Sequence, residues 1–270
     1  MLKSKKFSLS LLQGTVFTLI SLISLLITNP AIAAQPEDVK KLFETNKCRR
    51  CDLNGADFGQ KNFQRAILRG SDLRHANLSY TKLSRIDLRR TNLSSANLSR
   101  ADLTYGNLKR ANLSYANLSY INLSYADLSN TNLDGANLSY AQLRGVILDD
   151  VVLSGVNLTG ADIRGVDLRY VTFRDATLNN VNLANANLRD FDLRNTSLQN
   201  ANLSGANLRY ANLSGAKLQQ ANLVNARLDD VNLRYANLIG AELDSVSLRN
   251  ADMRGANLDA KYIPNDKFIA

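Results

Sequence analysis

A unit of five residues repeats in unbroken phase for about 200 residues, and few backbones tolerate that period. Its cleanest run, residues 111–129, reads ANLSYANLSYINLSYADLS. On an α-helix five residues turn through about 500°, so each leucine would land roughly 140° from the last and no face would be apolar. On a strand, whose side-chain period is two, an odd repeat throws successive leucines onto opposite faces. A chain written this way must turn through a fixed angle at every unit.

The repeat centres are the residues whose numbers end in 3 or 8, from Leu53 to Leu258. All 42 are apolar, with Phe58, Phe63, Ile163, Phe173 and Met253 standing in for Leu. Two residues before each centre the side chain is small, usually Ala, and Lys61 and Phe191 are the main exceptions. The residue directly before the centre is mostly Asn or Asp. Centre and small residue share one face of a short extended segment, so both point inward. The two residues after the centre form the corner, where Gly, Asn, Asp and Ser are turn formers. Each unit is then one side of a closed polygon, and parallel crossovers favour a right-handed winding. One buried Leu and one Ala cannot offset the entropy of ordering five residues, so stacking of coils is the condition of folding.

The tandem A(N/D)LxX, as in Ala111-Asn112-Leu113-Ser114-Tyr115, resembles the pentapeptide-repeat family over residues 52–259. The resemblance implies an all-β fold, a right-handed quadrilateral parallel β-helix with four units per coil. The five-residue period alone admits other polygons. Two recurrences in steps of twenty agree with four: Arg69, Arg89 and Lys109, then Arg169, Arg189 and Arg209. About ten coils would rise about 50 Å.

The ends carry different signals. Residues 1–33 read as a signal peptide: the basic MLKSKK, an apolar Phe7–Ile27, then Ala31-Ile32-Ala33 as cleavage site. An uncleaved membrane anchor is the alternative. Export, together with a likeness to cyanobacterial members of the family, points to thylakoid lumen or periplasm. Residues 34–51 hold an expected capping helix within Gln35–Lys47 and a Cys-x-x-Cys junction. Pro36 suits the first helical position, Glu37 and Asp38 the positive dipole end, and Val39, Leu42 and Phe43 share a face. Residues 260–270 read as a C-terminal cap, with Tyr262, Ile263, Phe268 and Ile269 over the last coil.

Cys48 and Cys51 admit three readings: a disulfide clip between helix and first coil, a redox motif, or two unpaired thiols. A zinc site lacks further ligands, since the sole histidine, His75, falls at a corner. Catalytic chemistry finds little material. There is one His, no Trp, and only Glu37, Glu44 and Glu242 among the glutamates. The acid pairs Asp149-Asp150 and Asp229-Asp230 are corner dipeptides, expected in ion-pair ladders with Arg169, Arg209 and Arg249. A filled polygon offers no shielded cleft for acid–base work. No enzyme activity, catalytic residue, metal or cofactor is therefore expected. The Asn-Leu-Ser triplets match a glycosylation acceptor only because the repeat generates them.

Charge is more informative. The formal +9 falls to +6 without Lys3, Lys5 and Lys6, and residues 61–110 hold eleven Lys or Arg against Asp72, Asp87 and Asp102. The candidate surface for an anionic partner is Arg69, Arg89, Arg90, Lys109 and Arg110, followed by Arg169, Arg189 and Arg209. Nine of the ten tyrosines sit second after a centre, where rings of successive coils can stack. Ile147 and Val152 are apolar where Asn or Asp is the rule. Two functions follow. One is an exported, non-catalytic scaffold or protein-binding rod. The other is a binder of anionic ligands or a membrane surface through the basic region 61–110. Some members of the family mimic DNA and bind a topoisomerase through an acidic rod; here the sign is opposite, and no nucleic acid partner is expected. A monomer is favoured.

Overall fold

The structure, a computed structural model, describes residues 33–163, 166–168 and 171–259. The expected signal segment up to residue 32, the expected C-terminal cap 260–270, and Arg169 lie outside the described residues. Helix and coils belong to one compact unit that starts at Ala34.

Helix α1 is Pro36–Thr45. Proline opens it, Glu37 and Asp38 sit in the first turn, and Asn46 ends it in the left-handed conformation while donating its N–H to the Leu42 carbonyl at 2.9 Å. Leu42 is buried, and Val39 packs partly buried against the same core. Phe43 meets the rings of Phe58 and Phe63 at 6.1 and 5.4 Å, which are themselves edge to face at 5.3 Å. Two hydrogen bonds lock the helix start to the first coil: Gln35 N to Asp52 O at 2.9 Å and Asp52 N to Asp38 Oδ2 at 2.8 Å. Among the described residues no helix is long and apolar enough to cross a membrane.

From Lys47 to Asp162 and again from Thr177 to Asn257 the backbone pairs in parallel with the residue twenty positions on, as in Asp52 with Asp72 and Asp72 with Asn92. Twenty residues are four units, so each coil has four sides. The pairing consists of isolated bridges, one residue per side, because two corner residues interrupt every five. The expected β architecture is thus a stack of bridges among the described residues, with no longer strand.

One unit, Ala96 to Arg100, accounts for every backbone donor. Asn97 N donates to Ala76 O in the preceding coil at 2.9 Å, while Leu98 N and Arg100 N donate to Asn117 O and Ser119 O in the following coil at 2.8 and 2.9 Å. Ala96 N closes the turn onto Leu93 O at 3.0 Å. The remaining donor, Ser99 N, is taken by the side-chain oxygen of Asn97 at 3.1 Å. That is the work of the Asn or Asp before each centre: it satisfies the one amide that stacking leaves open. The amides of Ser79, Ser114, Ser139 and Val224 are served in the same way.

The interior is filled. From Leu53 to Leu243 the leucine centres and the small residues two before them are buried along the stack, apart from Val166 and Ala186, which are partly buried. Thr81, Thr91, Thr131 and Thr196 enter the small-residue position by donating their hydroxyls to a centre carbonyl of the preceding coil at 3.0–3.1 Å. The two sequence exceptions leave the interior: Lys61 is exposed, and Phe191 is half-buried against the Phe173 ring at 6.0 Å.

The corners hold a feature that composition hides. The second corner residue has a positive φ, 55–64° in the non-glycine residues, and the position carries Arg and Tyr as readily as Asn. Bulky side chains avoid this region in isolation. The bond from that residue's N–H to the next coil holds it there, as for Tyr80 to Ser99 O at 2.9 Å. Where the corner of the next coil is Gly135, Gly160 or Gly255, the ring of Tyr115, Tyr140 or Tyr235 lies over it, and an added Cβ would come within 2.6 Å of the ring.

Candidate functional site

With twenty residues per coil, corner residues twenty apart stack into columns. One corner carries, coil by coil, Arg49-Arg50, Arg69-Gly70, Arg89-Arg90, Lys109-Arg110, Ser129-Asn130 and Asp149-Asp150. Arg69, Arg89, Arg90, Lys109 and Arg110 are all brought together here, lining a groove of about 430 Å³ that ends against Asp149 and Asp150. An adjoining groove of about 430 Å³ shares Arg69 and Arg90 and adds Arg49, Arg50 and Gly70. Seven cations therefore occupy one corner over four coils. Arg49 and Arg50 had no place in the sequence-based surface, although the step of twenty that links Arg69 to Arg89 also reaches back to Arg49.

Two of the seven are neutralised locally. Arg89 binds the Asp87 carboxylate at 2.6 Å, and Lys109 reaches Asp127 at 3.1 Å. The Arg89 hydrogen bond holds the Asp87 carboxyl below the usual carboxylate range, against a smaller opposing effect of burial. Among the described residues none of Arg49, Arg50, Arg69, Arg90 and Arg110 is in a salt bridge. Arg189 and Arg209, expected to continue the surface, are paired instead with Asp190 at 3.2 Å and Asp229 at 3.5 Å. The rest of the 61–110 cations point elsewhere. Arg74 pairs with Asp72 at 2.6 Å, Arg85 lies over the Tyr105 ring at 5.2 Å, and Arg100 lies between Tyr80 and Tyr120 at 5.7 and 4.5 Å. The basic region is thus a corner rather than a belt. Among the described residues the expected ladder between coils is seen where Arg209 reaches Asp229, while pairs within one corner are more numerous: Asp-Leu-Arg at 72–74, 87–89, 192–194 and 252–254 closes on itself at 2.6 Å each time.

The sulfurs of Cys48 and Cys51 are bonded to each other. Cys48 takes a centre position and Cys51 a small-residue position, both buried. The bond therefore closes the corner formed by Arg49 and Arg50, and does not tie helix to coil. Ser71 anchors that corner to the next coil, donating to Cys48 O at 2.6 Å and accepting from Cys51 N at 3.1 Å. Asp38 lies within 4.8 Å of both sulfurs. Bonded sulfurs offer no thiolate to a metal, and the Asp38 carboxylate already receives Asp52 N. Ile147 and Val152 are exposed, and neither side chain can serve a corner amide.

The repeat geometry is matched by two family models. The model for pentapeptide repeats (8 copies) matches residues 111–150, 147–185, 186–224 and 221–259, and the model for a pentapeptide repeat region matches residues 42–118. The chain belongs to the pentapeptide-repeat family. Among solved structures, this pentapeptide-repeat protein is 32% identical to HetL of the cyanobacterium Nostoc sp. strain PCC 7120, a pentapeptide repeat protein involved in heterocyst differentiation regulation. That match covers 83% of this chain and 96% of HetL, with a TM-score of 0.33. It is 28% identical to alr5209 from Nostoc PCC 7120 over 49% of this chain and 100% of that one, with a TM-score of 0.35. It is 27% identical to AT2G44920 from the Arabidopsis thaliana thylakoid lumen over 45% of this chain and 71% of that one, with a TM-score of 0.32. None of the curated proteins matches the chain.

Proposed function

We propose that this pentapeptide-repeat protein is a rigid, non-catalytic scaffold that binds an acidic partner along one corner of its first coils. The single observation behind this reading is the concentration of Arg49, Arg50, Arg69, Arg90 and Arg110 along one corner, lining two adjoining grooves, without salt-bridge partners among the described residues. Unpaired cations stacked this closely repel one another, and a bound anion relieves that repulsion. The filled interior supports a role through the exterior alone. A right-handed winding belongs to the same reading, as does export to a thylakoid lumen or periplasm, supported by the basic, apolar and Ala-x-Ala order of residues 1–33. A DNA-mimic role is disfavoured by the sign of the groove.

Retention on a carboxymethyl matrix tests the reading. Arg90→Asn with Arg110→Asn is the suitable variant, because Asn130 and Asn250 already occupy the same column at φ 58° and 57°. The variant is expected to melt like the parent and to elute at clearly lower salt. Unchanged elution would overturn the reading.

A further inference from the structure

The coils are not stacked equally along the rod. Among the described residues, Asn182, Asn187 and Asp192 bridge forward to Asn202, Asn207 and Asn212, and none of the three bridges back. The fourth side of this step is closed: Ser197 bridges back to Thr177, and Thr177 to Asn157. Amide hydrogen bonds follow the same division. Asn202 N, Asn207 N and Asn212 N donate to the preceding coil at 2.8–2.9 Å, and Ser197 N donates to Ala176 O at 3.0 Å. Asn182 N, Asn187 N and Asp192 N have no such acceptor among the described residues. One step of the stack is thus open on three sides and closed on the fourth.

The interior is asymmetric in the same sense. The side of Asn187 lies opposite the closed side of Ser197, and on it the small residues Val166 and Ala186 are only partly buried. A cavity of about 360 Å³ lies there, lined by Ile163, Val166, Leu168, Leu183 and Ala186. Side-chain volume accounts for the opening. On each of the three open sides a Val or Phe holds a small-residue position in one coil or the other: Val181, Val166, and Val171 with Phe191. On the closed side the two residues are Ala176 and Thr196, and Thr196 donates its hydroxyl to Phe173 O at 3.1 Å. A single Val is tolerated elsewhere, since Asn232 beside Val231 bridges both ways. Phe191 is the largest departure, its ring against Phe173 at 6.0 Å. Three enlarged sides overpack one step, and its coils part on the side away from the smallest residues.

We propose that this step is a bending joint, wedged by Val166 and Phe191, at which two rigid blocks of coils swing about the column Asn157–Thr177–Ser197. Coils of a solenoid contact only their neighbours, so one weak step divides the stack into blocks that keep their own shape. A closed column opposite an open mouth is the geometry of a hinge, and the bridges at Thr177 and Ser197 keep the blocks attached while the mouth widens or narrows. The basic corner from Arg49 to Arg110 lies wholly before the joint, so bending leaves its spacing unchanged. What bending changes is the direction of the later coils.

Amide hydrogen exchange of the full chain is the first test. Asn182, Asn187 and Asp192 are expected to exchange about tenfold or more faster than Asn202, Asn207 and Asn212, with Ser197 among the slow amides. Equal rates for the two sets, or a Ser197 as fast as Asn187, overturn the joint. Spin-label pairs two coils apart then separate a moving joint from a fixed gap, the native cysteines being bonded to each other. Asp149→Cys with Arg189→Cys places labels beside the mouth, and Thr159→Cys with Gln199→Cys beside the closed side. The first pair is expected to give a distance distribution about twofold broader than the second; equal widths overturn the joint. Val166→Ala with Phe191→Ala installs the residue that the repeat uses most at those positions. It should slow exchange at Asn187 and Asp192 about tenfold or more and narrow the first distribution to the width of the second. Unchanged exchange and width in this variant overturn the wedge.

Discussion

Asn97 illustrates how one side chain serves the repeat twice. Its oxygen accepts the Ser99 amide at 3.1 Å and the Asn117 amide group at 3.4 Å, one bond within the corner and one between coils. Asn97→Ala removes both and leaves the Ser99 N–H partly buried without its acceptor. The expected cost is about 1–2 kcal/mol, read from the midpoint of urea unfolding, and an unchanged midpoint would show that water serves the corner equally well. The preference for Asn or Asp before each centre is plain in the sequence, but its reason is not. The amide it satisfies is left open only because the other four donors go to a turn and to the coils on either side. The positive φ of Arg90 and Tyr80 was equally hidden, since local preference argues against it and the next coil supplies the compensating bond.

At the scale of the corner, Asp-Leu-Arg triplets act as small charged clasps. The Arg89, Arg194 and Arg254 hydrogen bonds hold the carboxyls of Asp87, Asp192 and Asp252 below the ordinary value of 3.8, to about 2 for Asp252. A carboxyl whose folded pKa is depressed adds stability above its unfolded value, and that stability is lost as pH falls through the folded value. The thermal midpoint should therefore be nearly flat from neutral pH to about 4 and fall between about 4 and 2. Asp87→Asn with Asp192→Asn should shallow that fall, and a fall centred above pH 5 would point to other groups. Much at this scale was legible beforehand. Helix α1 was readable from Pro36 and its acidic first turn, and the inward leucines from phase alone. The pairing within triplets was not, because stacking in steps of twenty drew attention to partners in neighbouring coils.

For the molecule as a whole, the repeat fixes where function can reside. A stack filled by Leu and Ala presents only columns, and sequence numbering predicts each column once the coil length is known. That is why five cations of the basic corner were found in advance. Arg49 and Arg50 were missed because the cysteines around them suggested a junction outside the coils, whereas Cys48 and Cys51 take ordinary repeat positions. On the proposed reading position along the stack, and not net charge, makes the binding surface. Arg65→Asn with Arg85→Asn removes the same two charges from another corner, again at residues with positive φ. The salt concentration at which each double variant elutes from a carboxymethyl matrix tests this most directly. Arg90→Asn with Arg110→Asn is expected to elute at clearly lower salt than the parent, and Arg65→Asn with Arg85→Asn close to the parent; equal shifts for the two pairs would contradict a surface made by position.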